Sequence, residues 1–222
     1  MNGLNHTHDP AARSWLDSAN SEGADFPVQN LPLAVFRRRG SDEAFRGGIA
    51  IGDQIVDLAA LVRLDVLGGN AQRACAACAQ PVLNDYMAMG SAGWRALRHG
   101  VFALLSQDAS ERTQRQLTGC LVPQSQAVYA LHARIGDYTD FYTSVHHALN
   151  VGRQARPDNP LTPNFRWLPI AYHGRASSVR VGQDGFAFRR PMGQAMAPGA
   201  AQPAYGPCAR LDFELEMAFY VG

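Results

Sequence analysis

The chain has 222 residues, 46% of them hydrophobic, and its 20 basic and 19 acidic side chains leave a formal net charge of +1. That balance argues against nucleic acid or an anionic membrane as the main partner, and neither a signal peptide nor an apolar run of the ~18–20 residues a membrane helix needs is visible. Every basic residue is Arg, so no lysine Schiff base or lysine general base can work from this chain.

Residues 1–25 are polar and read as a flexible arm, with His6 and His8 as solvated side chains. Leu33–Phe36 reads as a strand, and the basic run Arg37–Arg39 as a solvated face. Ile49–Ile51, Gly52-Asp53 and Ile55–Leu58 read as strand, type II′ turn and strand, glycine suiting the first turn position. Residues 59–118 read as helical. Trp94, Leu97, Val101 and Leu104 recur at threes and fours as one core-facing stripe, with Ser91 as the N-cap. Cys75 and Cys78 form a CxxC, but a zinc site needs two more ligands, and Cys120 and Cys208 stand alone. The cysteines therefore read as small packing residues in a reducing cytosol. The polar stretch from Ser106 to Leu117 closes this half, which makes residues 26–118 a small β-rich domain with helices.

From Leu121 the texture changes. Pro and Gly become frequent, and short β-like runs appear at Ala127–His132, Val179–Val181, Phe186–Arg189 and Phe213–Val221. Two segments carry chemistry. Residues 136–147 read GDYTDFYTSVHH, and residues 211–217 read LDFELEM. In an extended strand Asp212, Glu214 and Glu216 point to one face, where like charges repel unless a cation offsets them. Glu214 and Glu216, with Asp140 from a loop, would suit Ca²⁺, Mg²⁺ or Mn²⁺ better than zinc. The competing reading is an ordinary exposed acidic strand. His146 and His147 adjoin Asp140 and Tyr142, and an imidazole beside a metal can take a proton from water; a structurally hydrogen-bonded histidine is the alternative. Arg156 could grip a carboxylate or lie on the surface. Tyr172 heads the polar cluster YHGRASS and could donate to a substrate oxygen or cap a core. The opposite, apolar face of the last segment, Phe213, Leu215, Met217 and Phe219, calls for strand neighbours that the chain does not supply. The second domain, 119–222, is therefore expected to be cut short.

Together GDYTDFYTSVHHALNVG, RWLPIAYHGRASSV, RRPMGQ, YGPC and LDFELEMAFYVG resemble the fumarylacetoacetase family, as do DFPVQNLPLAVF and GGIAIGDQIVDL nearer the start. The resemblance implies a β-rich α+β protein. A small SH3-like β-barrel would be followed by the first part of a mixed β-roll catalytic domain. It implies Asp140, Glu214 and Glu216 as ligands of Ca²⁺ or Mg²⁺, His147 as the base that activates water, and Tyr142, Arg156 and Tyr172 as substrate contacts. The implied activity is hydrolysis of the carbon–carbon bond of fumarylacetoacetate to fumarate and acetoacetate, in tyrosine and phenylalanine catabolism. The implied setting is a cytoplasmic homodimer acting on a small β-diketo acid. Family members run to about twice this length, and the remainder carries a fourth metal carboxylate and a lysine. The isolated chain is accordingly expected to be inactive, and a relative acting on acylpyruvates is the other enzymatic reading.

Overall fold

In a computed structural model, described over residues 3–182, 192–209 and 213–222, the apolar runs between residues 33 and 57 form a sheet. β1 (Leu33–Arg38), β2 (Arg46–Ile51) and β3 (Gln54–Asp57) pair antiparallel in succession. At the β2–β3 turn Gly52 has φ 53° and Asp53 stays out of the left-handed region, the φ pattern of the expected II′ turn. β4 (Leu121–Pro123) adds to β3 and β5 (Ala127–Ala130) adds to β1, giving the order β4-β3-β2-β1-β5. These two strands lie beyond residue 118, where the sequence suggested that the first half closes.

The connection between them fixes the shape of the sheet. β4 and β5 are its opposite edges, yet only the 3-10 turn Gln124–Gln126 joins them. Laid flat, the edges would be four spacings of ~4.8 Å apart, about 19 Å. The four steps from Pro123 to Ala127 reach at most about 14 Å even when extended. The sheet must therefore curl into a half-barrel. The link is pinned on both sides, by Gln124 N–H to Asp53 O at 2.9 Å and by Arg39 N–H to Gln126 O at 2.7 Å. Curling buries both faces. Phe36, Ile55, Val122 and Ala127 cluster on one, while Val35, Ile49, Ile51 and Val56 join the helices on the other.

Those helices are α1 (Leu58–Leu64), α2 (Gly69–Cys78), α3 (Asn84–Met87), α4 (Gly90–Leu105) and α5 (Glu111–Thr118). The buried face of α4 is Gly93, Leu97, Val101, Phe102 and Leu105. The expected stripe is thus rotated, with Trp94 40% exposed and its Nε1 donating to Tyr86 O. Ser91 is not the cap; the helix starts at Gly90 after Met89, without a side-chain cap bond. Cys75, Cys78 and Cys120 are buried in this core, and burial pushes the Cys75 thiol up to about 12. They are packing residues, as the sequence suggested.

The N-terminal segment differs from the expected flexible arm. It makes 3-10 turns at His6–His8 and Asp17–Asn20 and docks on α4. The last carbonyls of a helix lack intrahelical donors, and here Ser14 Oγ donates to Leu105 O at 2.7 Å and Trp15 Nε1 to Leu104 O at 3.0 Å. His6 is not merely solvated, since its ring packs against those of His99 and Phe102.

The chain divides into two compact units, Met1–His132 with Val181–Gly222, and Ala133–Arg180. In the second, β6 (Thr139–Phe141) pairs antiparallel with β7 (Ala171–His173), and α6 (Val145–Ala155) follows β6. In the first, β8 (Met192–Ala195) and β9 (Ala204–Pro207) form a two-stranded ribbon, and Tyr220 stacks edge-on against His132. Two expected strands are absent. Val179 closes the 3-10 turn Ala176–Ser178, and Phe213–Val221 has no strand partner among the described residues. Phe213, Leu215, Met217 and Phe219 are all exposed. The expected strand at Phe186–Arg189, like Asp212, lies outside the described residues. No described helix is long and apolar enough to cross a membrane.

Candidate active site

The Asp/Tyr/His segment becomes a strand, a turn and a helix. The β6–β7 ladder extends beyond its named residues through Gly174 N–H to Tyr138 O at 2.9 Å and Tyr142 N–H to Ile170 O at 2.8 Å. With the register Asp140↔Tyr172, alternation puts Tyr138, Asp140 and Tyr142 on one face, opposite Gly174, Tyr172 and Ile170. Asp137, Thr139 and His173 belong to the other face, where His173 Nε2 and Asp137 Oδ1 are paired. Hydrogen bonds to the Asp137 carboxylate, first from the Tyr138 backbone N–H and then from His173, hold it below the usual carboxylate range.

On the first face Asp140 is half-buried. Its Oδ2 accepts from the Tyr172 hydroxyl at 2.9 Å and, at a longer 3.4 Å, from the Tyr138 hydroxyl. Ser144 then caps α6, its Oγ accepting from His147 N–H at 3.3 Å, which places His147 in the first helical turn. The Tyr142 ring meets the His147 ring edge-on at 5.3 Å and the Phe165 ring at 5.9 Å. An imidazole, three phenols and a carboxylate thus gather around one strand face, an arrangement able to orient a water or a polar oxygen and to accept its proton.

Arg156 stands apart. It ends α6 nine residues after His147, roughly 13 Å along a helix axis at ~1.5 Å per residue, and its Nη2 donates to Pro160 O at 3.4 Å. Beyond it lies a surface cavity of about 330 Å³ lined by Leu149, Asn159–Pro163 and Arg166, none of them a predicted site residue. Glu214 and Glu216 belong to the other unit. Both are exposed, and a carboxylate oxygen of one lies within 4.8 Å of a carboxylate oxygen of the other. Tyr138 was not singled out by the sequence. The signal for it was present, since residues 138, 140 and 142 share the strand parity that makes one face.

Comparison with known proteins gives the class first. Residues 29–132 match the family model described as "Fumarylacetoacetase N-terminal", a span that takes in the curled sheet and all of α1 to α5. Proteins named fumarylacetoacetase extend the similarity along nearly the whole chain. That of Caenorhabditis elegans is 46% identical over 204 residues, 90% of this chain and 48% of the relative. Those of Homo sapiens (46% over 205 residues, 91% and 48%) and Oryza sativa subsp. japonica (43% over 215 residues, 95% and 49%) agree. By sequence the chain is similar to the N-terminal half of the fumarylacetoacetases. It spans about half the length of the curated relatives it matches.

Proposed function

We propose that this chain carries part of the active site of a fumarylacetoacetase, a hydrolase that splits fumarylacetoacetate into fumarate and acetoacetate as the last step of tyrosine and phenylalanine breakdown. The observation that carries the reading is the union of family similarity with one strand face holding Asp140, Tyr142 and Tyr172 beside His147. We propose Asp140, Glu214 and Glu216 as the residues that hold a divalent cation, Ca²⁺ or Mg²⁺. The donor chemistry fits. Two carboxylates with oxygens within 4.8 Å repel each other unless a cation is shared, and Asp140 keeps Oδ1 unbonded among the described residues while Oδ2 takes both phenols. All three donors are hard oxygens, which suit these ions rather than zinc. When bound, such an ion polarises a carbonyl as a Lewis acid and offsets developing negative charge.

The chain's own residues supply the rest. His147 takes a proton from water, whose oxygen attacks the carbonyl carbon of the fumaryl group. The bond from that carbon to the acetoacetyl methylene breaks, its electron pair leaves with the methylene, and a proton completes acetoacetate. Tyr142 and Tyr172 orient substrate oxygens, and Arg156 grips a substrate carboxylate. The family fold supports two finer readings. The curled sheet is an SH3-like barrel, and the unit starting at Ala133 begins a catalytic β-roll. A homodimer in the cytoplasm completes the proposal, and the free thiols Cys75, Cys78 and Cys120 suit a reducing compartment.

The decisive experiment replaces His147. Ca²⁺ affinity is measured by calorimetry in the 222-residue chain, and hydrolysis of fumarylacetoacetate is followed beside that of acylpyruvates in a longer chain that carries it. His147→Ala is expected to lower hydrolysis by 10²-fold or more, in the range of general-base loss, with Ca²⁺ affinity changed less than about two-fold. An unchanged rate removes His147 from the mechanism, and preference for acylpyruvates overturns the substrate.

A further inference from the structure

We propose that Tyr138 is a positioning residue for the Asp140 carboxylate, and that Gly174 is the seat that admits its ring. This rests on the reading of Asp140 as a metal ligand given above, and it names two residues that fix that ligand in place.

Tyr138 and Gly174 face each other across the β6–β7 ladder, and the Gly174 N–H donates to Tyr138 O at 2.9 Å. An aromatic side chain opposite a glycine in an antiparallel pair can fold across and cover it. Here the Tyr138 ring does so. A Cβ built on Gly174 would overlap Tyr138 Cδ1 and Cε1, so any larger residue must push the ring away. The ring's position sets where its hydroxyl ends. From that seat the hydroxyl reaches Asp140 Oδ2 at 3.4 Å, while Tyr172 reaches the same oxygen at 2.9 Å from the opposing strand. Two donors converging on one oxygen from two strands fix both the rotamer and the plane of the carboxylate. Partners behind a ligand typically decide its orientation, and their loss costs ~10–100-fold in metal affinity. The pairing of His173 with Asp137 on the opposite face ties the same two strands together.

The test separates this hold from the metal reading. Tyr138→Phe keeps the ring and removes the hydroxyl; Gly174→Ala keeps the hydroxyl and displaces the ring. The rotamer of Asp140 is read by NMR from the three-bond couplings of its Hα to its two Hβ protons, with no ion added, and Ca²⁺ is then titrated. In the wild type the two couplings are expected to be unequal, as for one rotamer. In both variants they are expected to average and Ca²⁺ binding to weaken about ten-fold. If Gly174→Ala fails to fold, Tyr138→Phe alone decides. Unchanged couplings in Tyr138→Phe overturn the inference whatever the ion does. Averaged couplings in the variants, with no Ca²⁺ bound by the wild type, sink the metal-ligand reading and leave the hold on Asp140 standing.

Discussion

Arg46 and Asp57 show how much one buried pair can hold. The Arg46 Nη2 and Nε donate to Asp57 Oδ2 at 2.7 and 3.0 Å, while Asp57 Oδ1 caps α1 by accepting from Ala59 and Ala60. Both residues are buried, and the guanidinium also lies over the Phe36 ring at 4.7 Å. Removing one partner of a buried pair leaves the other uncompensated, at a cost of ~3–5 kcal/mol. Asp57→Ala is therefore expected to lower stability by about that much in urea denaturation, and a loss below about 1 kcal/mol would show the pair to be dispensable. The neighbouring Glu43 adds a pH dependence. Burial works to raise its carboxyl, but the Arg38 backbone N–H and the Arg46 guanidinium outweigh that and bring it down to about 2 from 4.5. A depressed folded value contributes stability that is fully present above the unfolded value of 4.5 and is lost as pH falls toward about 2. Glu43→Gln should thus trail the wild type in thermal midpoint near neutral pH, and the gap should close across that acid window. A gap that stays constant with pH would mean that the charge of Glu43 plays no part.

At the scale of elements, the end of α6 nearest the site depends on a single cap. Ser144 Oγ accepts from His147 N–H at 3.3 Å, and without it one of the helix's first donors loses its partner. Ser144→Ala is expected to cost ~1 kcal/mol. Amide hydrogen exchange around His147 should quicken about five-fold, while amides in α4 keep their rates; unchanged exchange near His147 would show the cap to be idle. How far the sequence disclosed these elements depended on what specified them. The β2–β3 hairpin is local, written in Gly52-Asp53 and its apolar flanks, and it forms as expected. The same holds for the grouping of Tyr142 and His147, five residues apart across one turn. The missing strand at Phe213–Val221 had the right alternation, but alternation names a face and cannot supply a neighbouring strand. The docked N-terminal segment was hidden for the opposite reason. Its anchors, the carbonyls of Leu104 and Leu105, lie some ninety residues away in sequence, and nothing in a polar stretch announces such partners. The parity of Tyr138 with Asp140 was legible, but its seat opposite Gly174 needed a register that only the pairing of β6 with β7 defines.

For the molecule as a whole, the apolar core is distributed unevenly between the two units. The unit Met1–His132 with Val181–Gly222 holds almost every buried side chain, packed where the curled sheet meets α1, α2, α4 and α5. In the unit Ala133–Arg180 only Ala133, Ala148 and Gly152 are buried. A piece that small buries too little surface to offset its chain entropy by itself, so its local opening should need far less free energy than global unfolding. All basic residues are Arg, which lets trypsin read this difference without interference from lysines. Arg134, Arg153, Arg156, Arg166, Arg175 and Arg180 are all exposed in or beside the weaker unit. Arg63, Arg73, Arg95, Arg112 and Arg115 are exposed too, but they sit in α1, α2, α4 and α5, and the exposed Arg13 and Arg39 are tied by backbone hydrogen bonds to Gln107 and Gln126, so these sites open with the core before a protease can bind them. Limited digestion should therefore cut first between 134 and 180 and leave a resistant fragment ending at Arg134, two residues beyond the span matched by the family model. Early cleavage within α1 or α2, or equal protection of both regions, would show that stability is shared evenly and that Asp140 and His147 stand on a firmer base than their burial indicates.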